Sequence, residues 1–296
     1  MRMEKKIALV TGANSGMGMA SARMLARKGY FVLMLVRSEK RGSEAFKMLN
    51  EEQPGCFHLI LCDLSDLQSV RRAASFIGET YEKIDVMLNN AGVITTQREL
   101  TKEGLEMQFG VNYVGHFLLT LLLLERLHKG SRIVQVASGA HKWGDIYFED
   151  LSLEKSFRPF KAYGQSKLAN VLFAKELSKK LAPYSISVNS CHPGAVATNM
   201  GVNRETGFGK SITKLLKPFF RSPEEGAATA VYLATDPSVE GITGEYFYNG
   251  KPAKVSRKAR DEELSKKLFQ WTEDFTGVPF KEIEEKLKEN HGHTGA

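Results

Sequence analysis

The stretch Thr11-Gly12-Ala13-Asn14-Ser15-Gly16-Met17-Gly18 constrains this chain more than any other. It follows a short apolar run, Ile7-Ala8-Leu9-Val10, and precedes Ala20, Ala22, Met24, Leu25 and Ala26, which suit a helix. A strand, a glycine-rich turn and a helix in that order bring backbone N–H groups and a helix N-terminus up to a pyrophosphate. The spacing Gly-x-x-x-Gly-x-Gly differs from the commoner Gly-x-Gly-x-x-Gly, yet its place directly after the first strand points to dinucleotide binding.

Strand and helix alternate through the rest of the chain. Tyr30 to Val36, Phe57 to Cys62, Ile84 to Leu88, Ile133 to Ala137, Ile186 to Cys191 and Gly244 to Tyr248 read as further strands. Asp66 to Tyr81, Thr101 to Leu127, a segment carrying Tyr163 and Lys167 and ended by Pro183, and Glu224 to Leu233 read as helices. The pattern predicts an α/β fold, a doubly wound seven-stranded parallel sheet (Rossmann fold) with helices on both faces. The tail adds two helices, Asp261 to Phe275 and Pro279 to Glu289. With no internal repeat and no linker-like stretch, 1–296 reads as a single domain with 251–296 as a helical C-terminal extension.

The formal charge of +7 fits an anionic cofactor in a basic cleft. Basic residues are interleaved with acids and no nucleic-acid motif is present, so no nucleic-acid partner is expected. Cys56, Cys62 and Cys191 show no ligand spacing, which points away from a zinc or other metal site and from a disulfide framework. The N-terminus leads straight into a strand, and the longest apolar run, Phe117 to Leu124, is shorter than the ~20 residues that span a bilayer. A cytoplasmic protein without a transmembrane anchor is the expectation.

In open α/β sheets ligands gather beyond the carboxyl ends of the strands. The second strand ends in Val36-Arg37-Ser38, followed by Lys40 and Arg41. No carboxylate is present to accept from a ribose 2′-hydroxyl, whereas a guanidinium suits a 2′-phosphate, so NADP(H) is predicted over NAD(H). The third strand delivers Asp63 and Leu64 to the edge where an adenine would lie. The fourth delivers Asn89-Asn90-Ala91-Gly92, the fifth Ser138, and the sixth His192-Pro193-Gly194 with Ala195 to Thr198 beyond. Asn112 sits in an apolar helix face, where its amide is costly unless hydrogen-bonded. Tyr163 and Lys167 stand four residues apart on one helix face, and a fixed cation near a phenol favours the phenolate.

Thr11 to Gly18, Cys62-Asp63-Leu64-Ser65, Asn89 to Gly92, Val111 to Phe117, Tyr163-Gly164-Gln165-Ser166-Lys167 and Pro193-Gly194 occur in that order. Together they resemble the short-chain dehydrogenase/reductase superfamily over almost the whole chain, and within it the retinol-dehydrogenase-like NADP(H) branch. The run from Asp261 to Trp271 is similar to that branch as well. The resemblance implies Tyr163 as general acid/base, Ser138 as the hydroxyl that orients the substrate oxygen, Lys167 as ribose ligand and tuner of Tyr163, and Asn112 as holder of a relay water. It implies that Gly12, Asn14, Ser15, Gly16, Met17 and Gly18 surround the pyrophosphate. Arg37 would meet the 2′-phosphate, Asp63 and Leu64 the adenine, and Asn89, Ala91 and Gly92 the ribose. Val196 and Thr198 would meet the carboxamide and the pyrophosphate, and Pro193 and Gly194 would also touch the cofactor. Family members often pair through the helices carrying Asn112 and Tyr163, yet the branch also has monomers, so the resemblance leaves a homodimer and a monomer both open.

Phe208, Ile212, Leu215, Leu216, Phe219 and Phe220 are interleaved with Lys210, Lys214, Lys217 and Arg221. Within the resemblance, 199–222 is the substrate lid, with its apolar residues turned to a lipophilic substrate; His141 and Trp143 would border the same pocket. The function expected is NADP(H)-dependent interconversion of a small hydrophobic aldehyde or ketone and its alcohol. The alternatives are a catalytically weak NADP(H)-binding regulatory protein and a peripheral membrane enzyme attached through 208–221.

Overall fold

The computed structural model describes residues 5–194 and 221–292. Its strands are β1 (Ile7–Thr11), β2 (Phe31–Val36), β3 (Phe57–Leu61), β4 (Ile84–Asn89), β5 (Leu127–Val136), β6 (Ser187–His192), β7 (Tyr246–Tyr248) and β8 (Lys251–Pro252). They form one sheet in the order β3-β2-β1-β4-β5-β6-β7-β8. The seven strands read from the sequence are mutually parallel. A two-residue eighth strand joins antiparallel to β7, because Asn249 and Gly250, both at positive φ, turn the chain straight back.

The helices are α1 (Gly16–Arg27), α2 (Glu39–Glu52), α3 (Leu67–Thr80), α4, α5 (Pro159–Leu181), α6 (Pro223–Thr235), α7 (Glu262–Thr276) and α8 (Phe280–Gly292). Helix α4 has three consecutive pieces, Met107–Phe109, a π turn Gly110–Val114, and Gly115–Leu123. Alternate strand residues enter two cores. Leu9, Leu33, Met87 and Ile133 pack beneath α3, α4 and α5, while Val10, Met34, Leu88 and Val134 pack beneath α1, α2 and α6. Strand order reverses between β1 and β4, which opens a crevice at their carboxyl ends.

The helix expected from Thr101 begins instead at Met107. Gly104 has φ +82°, outside the helical region, and the Glu106 carboxylate accepts from the N–H groups of Gln108 and Phe109 and so starts the helix there. One helical stretch among the described residues, Met107–Arg126, is long and apolar enough to cross a membrane, but 89% of its most apolar window is buried inside the protein. An all-round apolar helix needs cover on every side. The sheet, α3 and α5 supply part of that cover, and the C-terminal extension supplies the rest. Phe269 of α7 stands 4.9 Å from Phe117, Trp271 stands 5.9 Å from Phe109, and Tyr113 Oη lies 2.6 Å from Thr272 Oγ1. Since the Thr272 hydroxyl already donates to the Leu268 carbonyl, Tyr113 is the donor in that pair.

Of the lid expected at 199–222, only Arg221 and Ser222 fall within the described residues. Ser222 forms a capping box with Glu225 and starts α6.

The extension therefore completes the core. Phe269→Ala should destabilise the protein by about 3–5 kcal/mol, measured by urea denaturation, through loss of a buried ring against Phe117 and Phe173.

Candidate active site

The crevice between β1 and β4 is shaped by glycines that have no room for a side chain. A Cβ on Gly18 would sit 2.2 Å from the Gly12 carbonyl oxygen, and one on Gly12, at φ +68°, would press to 3.1 Å on Ala91. Thr11 joins the two strand ends. Its hydroxyl accepts from the N–H groups of Asn90 and Ala91, both at 2.9 Å, and its carbonyl accepts from Asn90 Nδ2 at 2.9 Å. Ser15 occupies the N-cap position of α1, yet its exposed hydroxyl makes no capping bond and the first turn holds no carboxylate. Helices α2, α3, α6 and α7 by contrast each have a side-chain cap. The α1 amides are thus free for an anion, and a pyrophosphate fits the cradle.

Arg37 is exposed at the end of β2, and Arg41 lines an open pocket with Asn14 and Ser15. Neither arginine takes part in an ion pair among the described residues. The sequence reading names Arg41 in the segment after β2 but assigns the 2′-phosphate to Arg37 alone. Two unpaired guanidinium groups at the adenosine edge fit a 2′-phosphate. The Asp63 carboxylate, half-buried, accepts from the backbone N–H and hydroxyl of Ser65, and the Leu64 side chain is buried. The Asn89 amide is turned into the core and donates to Thr120 at 2.8 Å, so what Asn89 presents at the strand end is its backbone. Met17 is buried in the α1 core. Gly194, at φ +81°, donates to His192 Nδ1, and Arg221 Nη1 donates to the Pro193 carbonyl. Val196 and Thr198 lie outside the described residues.

Ser138, Tyr163 and Lys167 meet at the end of β5. A glycine pair lets them do so: a Cβ on Gly144 would lie 2.2 Å from the Gly164 carbonyl, so the loop after Ser138 rests directly on α5 beside Tyr163. Lys167 is buried, donates to the Val136 carbonyl at 3.1 Å, and holds its ammonium 5.7 Å from the centre of the Tyr163 ring. Burial lowers the Lys167 pKa to about 8. Burial raises the Tyr163 pKa, with the Ser138 hydroxyl acting the other way. Asn112 spends its amide on the loop after Gly92, accepting from Val93 N–H at 2.7 Å and donating to the Val93 carbonyl and to Ser166 Oγ.

Residues 6–207 match the model of the short chain dehydrogenase family. The chain belongs to that family. Human retinol dehydrogenase 14 is 41% identical, the match covering 93% of this chain and 88% of that one. Human retinol dehydrogenase 13 is 38% identical over 95% and 87% of the two chains. A crystal structure of an uncharacterised protein from Mycobacterium paratuberculosis superposes with a TM-score of 0.75 at 33% identity, covering 94% and 95%. A short chain dehydrogenase from Shigella flexneri, solved in complex with NADP, shares the fold with a TM-score of 0.65 at 23% identity, covering 83% of this chain and 97% of its own. The chain is thus a short-chain dehydrogenase of retinol-dehydrogenase-like sequence, an oxidoreductase of alcohols and carbonyls.

In this short-chain dehydrogenase a histidine that sequence reading passed over ties the crevice to Asn112. Thr11 Oγ1 accepts twice, so its one proton goes to His116 Nε2 at 2.8 Å. The His116 proton therefore sits on Nδ1, which donates to the Asn112 carbonyl at 3.0 Å. Burial holds the His116 pKa down to about 4, against the Asn112 bond, and Lys167 adds to the lowering. The chain of bonds ends on backbone N–H groups, so it clamps and does not conduct protons. A sequence signal existed: Asn112 and His116 are spaced i, i+4 on an otherwise apolar helix. His141, by contrast, is wholly buried against Tyr246 and does not face the cleft.

A base held neutral by folding stabilises the native state fully above its ordinary value of 6.5 and less as pH falls towards 4. His116→Leu should lower stability at neutral pH by about 1–3 kcal/mol, because the Thr11 hydroxyl and Asn112 carbonyl lose their partner. Its urea midpoint should then fall less steeply between pH 6.5 and pH 4 than that of the unaltered protein.

Proposed function

We propose that the protein is an NADP(H)-dependent reductase of hydrophobic aldehydes or ketones, working reversibly on the corresponding alcohols, with Tyr163 as general acid/base. The observation that carries this reading is the meeting of Ser138, Tyr163 and a buried Lys167 at one strand end, beside a glycine cradle whose helix is left uncapped. Gly12, Ser15, Gly16 and Gly18 would hold the pyrophosphate, Arg37 and Arg41 the 2′-phosphate, and Lys167 the nicotinamide ribose. When bound, the nicotinamide supplies the hydride. The chain's own groups handle the proton. A phenol kept protonated by burial is in the state a donor to a carbonyl oxygen needs, and the Ser138 hydroxyl beside it can bond the same oxygen.

Two aromatic side chains support a hydrophobic substrate. Phe160, 75% exposed, precedes Tyr163 by one turn of α5, and Trp143, 60% exposed, packs on Gly164 with its indole N–H directed to the Phe160 carbonyl. The named relatives act, by their names, on retinol, and an apolar alcohol or aldehyde of that kind suits this rim. Three free thiols, two of them buried, support a cytoplasmic setting. Pairing through α4 and α5 is disfavoured because α7 already covers Phe117 and Phe173.

A panel of carbonyls and alcohols followed at the nicotinamide absorbance tests the reading. Tyr163→Phe should reduce kcat by at least about a hundredfold with little change in NADPH affinity, and near-normal turnover would refute the assignment. Arg37→Ala and Arg41→Ala should each weaken NADPH by roughly tenfold or more while leaving NADH nearly unaffected; equal losses for both cofactors would remove the 2′-phosphate role.

A further inference from the structure

Behind Lys167 lies a group of buried amides, each with at least one polar atom that finds no partner among the described residues. Gln135 of β5 is fully buried with both Oε1 and Nε2 unpaired, Asn170 of α5 has Oδ1 unpaired, and Asn89 of β4 has Oδ1 unpaired. These residues are neighbours. Gln135 and Asn89 are register partners on adjacent strands, and both lie on the face covered by α4 and α5, since Ile133, Ala137 and Met87 belong to that core. Asn170 follows Lys167 by three residues, and its Nδ2 donates at 3.2 Å to the Val136 carbonyl that also accepts from Lys167 Nζ. A carbonyl has two lone pairs, so lysine and asparagine share this one acceptor.

Buried polar groups in native proteins are satisfied by protein or by ordered water, and an amide left dry at both ends costs free energy that nothing else here returns. The set comprises three acceptor oxygens and one amide donor. A water molecule, which donates twice and accepts twice, serves two of the oxygens and the amide, and a second water serves the third oxygen. An anion would meet chiefly acceptors, and a metal cation would stand near the Lys167 ammonium, so both are disfavoured.

We propose that Gln135, Asn170 and Asn89 form an internal water site behind Lys167, and that Asn170 and Gln135 act through it as positioning residues for the lysine. The site lies on the sheet side of α5, away from the substrate rim at Trp143 and Phe160. The water and the Asn170 Oδ1 place acceptor oxygens behind the buried ammonium, on the side that neither cofactor nor substrate reaches. The structural half stands by itself; the consequence for turnover rests on the role proposed above for Lys167. The titratable groups facing Lys167 are Tyr163 on its own helix, Cys191 on β6 and His116 on α4, and the variants below leave all three in place.

The test combines a high-resolution crystal structure of the unaltered protein with NADPH and reductive kcat/KM profiles against pH for Asn170→Leu and Gln135→Leu. Ordered water within hydrogen-bond distance of Gln135 and Asn170 is expected in the map. In Asn170→Leu the ammonium has fewer polar neighbours and gives up its proton more readily, so the alkaline limb should move to lower pH by ~0.5 unit or more. Gln135→Leu should shift it in the same direction by less. If Asn170→Leu fails to fold, Asn170→Ser and the map decide. A dry core with the amides bonded to one another, or profiles superimposable on that of the unaltered protein, would overturn the proposal. Because the water is read from density, a protein with no turnover at all would sink the oxidoreductase reading while the water site stood or fell separately.

Discussion

The Thr11 hydroxyl is the junction on which the rest of the site depends. It accepts from two successive backbone amides of the β4 turn and donates to His116 on α4, so a single side chain fixes the end of β1 to the end of β4 and both to the central helix. The bond to His116 is buried and the two to the β4 turn are part-buried, where a lost partner costs more than a formed bond gains. The crevice between the two strands is therefore held open at a set width, and glycines at 12 and 18 are needed because any Cβ would fill it.

From this junction order passes along α4. Its π turn carries Asn112, whose amide holds the loop after Gly92 and whose carbonyl takes the His116 proton. Asn112 Nδ2 also reaches Ser166 on α5, next to Lys167, so the glycine turn after β1 and the helix carrying Tyr163 and Lys167 are tied by one connected set of hydrogen bonds. The C-terminal extension closes that set from outside. By covering the aromatic face of α4 and α5 it lets a helix with almost no polar surface remain inside a single chain, where other arrangements would need a second subunit or a membrane.

Much of this was legible in residue order. Apolar runs alternating with amphipathic segments announced a doubly wound sheet, and the polar residues that follow each strand marked its ligand edge. Tyr163 and Lys167 were readable because helical spacing places them on one face. What escaped the reading shares a cause. His116, Gln135, Asn170 and Arg41 each look like ordinary members of their helix or strand, and their significance comes from partners far away in sequence. The helix expected from Thr101 failed for a local reason, a positive-φ glycine at 104, that composition did not reveal.

The sequence by itself determined the alternation of parallel strands and helices, the glycine turn after β1, Arg37 at the end of β2 and the placing of Tyr163 and Lys167 on one helix face, because all of these depend on short-range spacing and backbone permissiveness. Only the tertiary structure decided how protons are held. Burial raises Tyr163 and lowers Lys167 and His116, the Thr11 bonds fix the His116 tautomer, and Asn89 turns inward although its neighbours line the crevice. Desolvation and hydrogen-bond partnership arise when distant segments close on one another, and no local pattern encodes them.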